Sequence, residues 1–310
     1  NNIFLIKDLK LDSNFKIIDV RLVKLDYVNN NKFQNQINLI KKKEKYEIYG
    51  KNFDASKLIS EILHDDNKDG LSFFKDLNSI FNIKIIKTYL NKDTSVNNLN
   101  GNITIKKNKV HKLSLLSTFS NKKELNLTIN TNNNKEKITT LFSGYPKPLV
   151  KQYKFIKGFE EGVLDYYSIK KNDVSNSVLK IDNFKIQEVP ALARLLTLAS
   201  LQGIADLLTG EGIRFDNFEM KFSNNKKLMQ IDEMYAIGPA ISILMEGYIE
   251  EKKLTSLKGT LVPATTINKA IGSIPLLGDI LVGKKIGEGV FGVSFKIKGP
   301  PKNLKTTVNP

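Results

Sequence analysis

EVPALARLLTLASLQGIADLLTGEGIRF, residues 188–215, decides how this chain is read. Pro190 stands where a first-turn proline is tolerated, because the N–H it lacks is one that a helix start leaves unpaired. Leu192, Leu195, Leu196, Ala199 and Gly203 fall on one helical face, while Leu198, Leu201, Leu207 and Leu208 spread apolar surface around the rest. A helix apolar nearly all round is either deeply buried or meets lipid. Gly210 and Gly212 end it, and the chain runs on into a strand. A second apolar, Gly-rich segment, ATTINKAIGSIPLLGDILVGKKIGEGVFGVSFKIKGP at 264–300, does the same, with Pro275 dividing its helical part into two short helices.

The stretch between them reads as about four strands carrying all four methionines. Phe218, Met220 and Phe222 alternate with Glu219 and Lys221, and Ile241, Ile243 and Met245 alternate with Ser242, Leu244 and Glu246. Phe291, Val293, Phe295 and Ile297 alternate with Gly292, Ser294, Lys296 and Lys298. Period two with this contrast gives a strand with one greasy and one wet face.

Outward from there the pattern stays β. In residues 1–50, Phe15, Ile17, Val23, Leu25 and Tyr27 share one parity, and Lys16 and Lys24 the other. FDASKLISEIL, from Phe53, is expected to be a short helix with Asp54 as N-cap. From Phe81 to Phe142 strands return, joined by NKD, NNLNG, KKNK, SNKK and TNNNK, which suggests a long antiparallel meander. GYPKP at 144–148 breaks the pattern, so the chain divides into 1–144, a β-rich segment, and 145–310.

Composition narrows the chemistry. Without cysteine there is no disulfide framework, thiolate metal site or thiol nucleophile. The chain has no run of 18 uncharged apolar residues, hence no expected membrane-spanning helix, and no visible signal peptide. A start without Met and an end at VNP read as a piece of a longer protein. The net charge of +16 is nearly all lysine, and residues 1–187 carry 33 basic side chains against 20 acidic ones. With only Arg21, Arg194 and Arg214 as arginine and no Trp, the forks and stacking platforms of a base-reading surface are missing. The charge fits an anionic lipid surface better than nucleic acid.

Three motifs lead nowhere firm. Gly287, Gly289 and Gly292 have the spacing of a kinase phosphate loop, but only 18 residues follow Gly292, too few for the rest of a kinase. In DDNKDGLSFFKD, residues 65–76, Asp65, Asn67, Asp69, Gly70 and Asp76 sit at EF-hand ligand positions. Asp76 replaces the bidentate Glu, Ser72 the apolar eighth residue, and a solvated turn accounts for the same composition. His64 and His111 have no ligand-spaced partners, so the expectation is no metal, no cofactor and no catalytic residue.

Residues from about 145 onward resemble the C-terminal region of the AsmA-like family of bacterial envelope proteins, particularly its large YhdP-type members. The matching elements, in order, are LKIDNFKIQEVPALARLLTLASLQGIADLLTGEGIRFDNFEM, AIGPAISILMEGYI, LKGTLVPATTINKAIGSIPLLGDILVGKKIGEGVFGVSFKIKGP and the closing VNP. The resemblance implies a mainly β fold: a long twisted antiparallel sheet curled into an open groove, with a few short amphipathic helices chiefly near the C-terminal end. It implies a non-enzymatic role in phospholipid transport between inner and outer membrane and in outer-membrane integrity. Such a protein faces the periplasm of the Gram-negative envelope from an inner-membrane anchor outside this chain. The residues expected to line an acyl-chain track are Leu192, Leu195, Leu196, Ile241, Ile243, Met245, Phe291, Val293 and Phe295. Helices near the C-terminal end are expected to close the groove or touch a membrane surface. The competing expectation is an assembly factor for outer-membrane biogenesis with a filled core.

Overall fold

The computed structural model describes residues 2–56, 74–150, 157–263, 292–301 and 303–309. The described chain is mainly β and forms two compact units, 1–143 and 144–310.

The first unit contains β1 (Ile3–Lys7), β2 (Lys10–Leu11), β3 (Ile17–Asp19), β4 (Leu22–Val28), β5 (Gln34–Lys42), β6 (Lys45–Asp54), β7 (Ser79–Tyr89), β8 (Ser95–Lys106), β9 (Lys109–Thr118), β10 (Glu124–Thr131) and β11 (Lys137–Ser143). Nine of these pair in the order β1-β4-β5-β6-β7-β8-β9-β10-β11, and β2 with β3 forms a separate small ribbon. No described pairing joins β1 to β11, so the sheet of this unit is open. One junction departs from an antiparallel meander: β6 and β7 run parallel. A parallel neighbour needs a crossover of a dozen or more residues, and the segment from Ala55 to Asn78 supplies it. The helix expected over 53–63 falls mostly outside the described residues. Phe53 and Asp54 themselves end β6, and the Asp54 carboxylate accepts the Ser56 backbone N–H at 3.0 Å.

The second unit has α1 (Lys147–Val150), β12 (Lys157–Lys171), β13 (Val174–Gln187), α2 (Pro190–Leu198), α3 (Gln202–Thr209), β14 (Ile213–Asn225), β15 (Leu228–Ile237), β16 (Ile241–Glu250), β17 (Leu254–Pro263), β18 (Val293–Gly299) and β19 (Lys305–Asn309). Its eight strands pair in chain order, each antiparallel to the next. The apolar stretch at 190–209 is two helices rather than one: Ser200 takes a left-handed φ of 59° between them. Packed against each other, α2 reaches β19 while α3 reaches β13 and β14. A closely packed cluster lies here. Leu196, Leu208, Ile213 and Phe215 are at most 1% exposed, and Phe184 stacks between Phe159 and Phe215 at 5.4 and 5.5 Å.

Turns in the first unit share a design. At Asn29 and Asn132 the side-chain oxygen accepts the N–H groups two and four residues on, and the third residue on, Lys32 or Lys135, takes a left-handed φ near 60°. Asp12 repeats this: it accepts from Asn14 and Lys16, and Phe15 has φ 59°. An Asn or Asp side chain standing in for a backbone acceptor is what makes such loops form locally.

Beside that loop, Asp19 accepts hydrogen bonds from Lys41 at 2.9 Å and from the Tyr46 hydroxyl at 2.8 Å. The Lys41 ammonium holds the Asp19 carboxyl below its usual range. Burial, reinforced by Asp19, pushes the Tyr46 phenol up to about 12. Asp19 therefore stabilises the fold above the ordinary carboxylate range, and that contribution is lost as pH falls through its lowered value. Tyr46 contributes fully below its unfolded value, and its contribution is lost as pH rises through about 12. Tyr46→Phe is expected to remove one late component from an alkaline tyrosinate absorbance titration. At neutral pH it should cost about 1.5–3 kcal/mol, the worth of a hydrogen bond to a charged group, read by urea unfolding.

Candidate functional site

Strand registers bring the alternating apolar residues of the second unit into transverse rows. One row crosses seven strands: Leu164, Ile181, Phe218, Ala236, Ile243, Leu261 and Val293. The next runs Tyr166, Leu179, Met220, Met234, Met245, Gly259, Phe295 and Val308. At about 4.8 Å between strands, seven strands span about 29 Å. All four methionines share this face, because Met229 stands opposite Asn224 and Ile249, two positions beyond the Phe222–Ile231 pair. In the row beyond, the buried Ser168 and Ser177 hydroxyls bond each other at 2.9 Å, so they bring no unpaired polar atom to the face.

This face is not packed shut by the described elements. Phe218, Met220, Met234, Ile243, Met245 and Val293 are half-buried, while Leu164, Ile181, Ala236, Leu261 and Phe295 in the same two rows are buried. At the packed end under α2 and α3, Phe218 meets Phe184 edge-on at 6.4 Å.

The expected site residues therefore fall into three groups. Ile243, Met245, Val293 and Phe295 stand in the two rows, with Phe295 only 3% exposed over Gly259. A Cβ at Gly259 would overlap the Phe295 ring, so the glycine makes the place in which that ring lies. Leu192, Leu195, Leu196 and Ile241 are buried, between 0% and 7% exposed; they are part of the packed end rather than an open surface. Phe291 lies outside the described residues, as do the helices expected within 264–291 and most of the 65–76 loop.

The opposite face is wetter, and several of its charges are paired. Glu219 takes hydrogen bonds from Lys180 at 3.0 Å and the Tyr235 hydroxyl at 2.9 Å. Lys221 bonds Glu233 at 2.9 Å, and Lys258 bonds Glu246 at 2.6 Å. Burial alone would raise the Glu219 carboxyl, but Lys180 and Tyr235 outweigh it and hold the carboxyl low. Burial and Glu219 push Tyr235 up to about 12. A depression on this side is lined by Lys180, Asp182, Glu219, Lys221, Glu233 and Tyr235, two lysines against three carboxylates, together with the apolar Ile237, Leu244 and Val262.

Sequence reasoning missed the equivalent face of the first unit. Ile6, Val23, Leu39, Ile48, Ile83, Gly101, Leu115, Leu127 and Leu141 form one row across all nine strands. Beside it run Tyr46, Phe81, Ile103, Leu113, Ile129 and Thr139. Ile83 and Leu113 are buried, while Val23, Leu39, Ile48, Leu115, Leu127 and Leu141 stay half-exposed. The alternations were legible strand by strand; their alignment into one row was not. Among the described residues no cluster of His, Cys, Asp or Glu is arranged to hold a metal ion, and no helix is long and apolar enough to cross a membrane. Neither a protein-family model, nor a curated protein, nor a solved structure matches the chain.

Proposed function

We propose that this chain is a lipid-binding segment of an AsmA-like envelope protein, and that acyl chains lie along the apolar face of each unit. The observation that carries this reading is the set of transverse rows, apolar at nearly every strand they cross and half-exposed at Phe218, Met220, Met234, Ile243, Met245 and Val293, between positions that are buried. A face of that kind gains about 0.8 kcal/mol for each methylene it takes out of water, while a headgroup stays wet beyond the sheet edge. The wetter face, crossed by several ion pairs, offers no comparable surface for tails. The strands curl into a groove, and phospholipid moves along it between inner and outer membrane. In this reading the protein is non-enzymatic, faces the periplasm, is anchored in the inner membrane and supports outer-membrane integrity.

The test is site-specific photocrosslinking in cells. A photoreactive residue at position 243 or 293 is expected to capture phospholipid. The same residue at 258 or 296, on the wet face, is expected to capture none. Absence of lipid at all four positions, with no lipid in organic extracts of the purified chain, would overturn the proposal and favour the assembly factor with a filled core.

A further inference from the structure

One end of the first unit carries a surface that the apolar rows do not explain. It is the end where β5 and β8 finish and β6 and β9 begin. Residues 41–45 and 106–112 there hold eight lysines against one glutamate; Lys41 and Lys42 are paired with Asp19 and Glu47, which leaves Lys43, Lys45, Lys106, Lys107, Lys109 and Lys112 to set the field. Turns at the other end, 28–33, 90–94 and 119–124, hold four lysines against two carboxylates. Of the aspartates nearest the basic end, Asp8 is paired with Arg21, Asp12 with Lys75 and Asp19 with Lys41. His111, among these lysines, is held below its ordinary value by burial and then by Lys106 and Lys112.

The β2–β3 ribbon projects from the same end, and its apolar residues face water. Phe15 is 83% exposed at the tip, with Leu9, Leu11 and Ile18 between 42% and 51%. The loop that carries Phe15 is the Asx loop described above, and the matching left-handed position elsewhere is Lys32 or Lys135. A bulky aromatic in a left-handed conformation is uncommon, and here it is held outward by two hydrogen bonds from the backbone to Asp12. The platform is tied together by one strap, residues 74–79. Lys75 donates its N–H to Ile17 and pairs with Asp12; the Ser79 hydroxyl donates to Glu44; the Asn78 side chain accepts from Lys107.

The geometry points to a docking site for the surface of a bilayer rich in anionic headgroups. Phe15 and its neighbours enter the headgroup boundary, and the lysine turns at the same end meet the phosphates. Apolar insertion combined with electrostatic attraction is how a peripheral element holds an anionic membrane. This surface is separate from the apolar rows, so vesicle binding tests it independently of the crosslinking at 243 and 293.

The chain contains no tryptophan, so Phe15→Trp gives a unique fluorophore at a position whose side chain is already in water. With vesicles of equal parts phosphatidylcholine and phosphatidylglycerol, its emission is expected to shift to the blue; with phosphatidylcholine alone it is expected to stay put. Combining Lys43→Glu, Lys107→Glu and Lys109→Glu should weaken flotation with the mixed vesicles roughly a hundredfold, at about fivefold per lysine. The matched triple variant at the other end, Lys92→Glu, Lys122→Glu and Lys123→Glu, should change binding by less than about threefold, because salt screens charges a Debye length away. Emission unmoved by mixed vesicles, equal losses in the two triple variants, or retention on single-stranded nucleic acid but not on vesicles would each overturn the proposal.

Discussion

Met234→Glu is expected to yield a folded protein that carries roughly thirtyfold less lipid than the unmodified chain, the effect of losing contact with two or three methylenes at about 0.8 kcal/mol each. Met234 stands at the centre of a row, opposite Met220 on one side and Met245 on the other. All three are half-buried, so a carboxylate at 234 keeps access to water and the fold tolerates it. A hydrocarbon tail does not, because any tail crossing the row would have to strip water from that charge. Met234→Leu, which conserves volume and polarity, should bind as the unmodified chain does. Lys296→Glu, a charge change of two units against one but on the wet face, should leave the lipid load alone. Lipid mass spectrometry of the purified variants reads all three. Equal loading of Met234→Glu and the unmodified chain would mean that tails do not lie across this row.

That row also marks how far the sequence was legible. Alternation at Phe218, Met220 and Phe222, and again at Ile243 and Met245, was plain, because one greasy and one wet parity is all that a half-covered strand requires. Met234 was harder to place. A bulge between Ile231 and Met234 puts residues three apart on one face, which strict period two would assign to opposite faces. The leucines at 192, 195 and 196 were correctly read as one helical stripe, but apolar content alone could not separate a lipid contact from a packed end. What decides between them is the neighbouring helix, placed by the left-handed turn at Ser200. Phe15 shows a third limit. Its parity with Val23 and Leu25 fits a strand, yet Asp12 takes up the local N–H groups and turns the residue out into a loop. Local side-chain competition for the backbone outweighed the pattern.

A packed end and an open face should respond differently to truncation, and Phe215→Ala tests the packed end. Phe215 is 1% exposed, stacked on Phe184 and surrounded by a region in which Leu196 and Leu208 have no exposure at all. Removing its ring leaves a cavity that fixed neighbours cannot fill, so the loss is expected at about 3–5 kcal/mol. For a unit of this size that lowers its melting temperature by roughly 10 °C, at about 2–4 °C per kcal/mol. Ile243→Ala removes about half as many carbons as Phe215→Ala, from a half-exposed position in the open rows. There the transfer term is partial and no closed cavity forms, so about 1 kcal/mol is expected. Calorimetry of both variants, freed of lipid, therefore measures whether the interior is filled. A loss at Ile243 as large as that at Phe215 would show side chains interlocked over the whole face, leaving no room for a hydrocarbon tail. A small loss at Ile243, together with a rise in melting temperature on adding phospholipid that the unmodified chain shows and Met234→Glu does not, would make the rows the place where tails complete the interior.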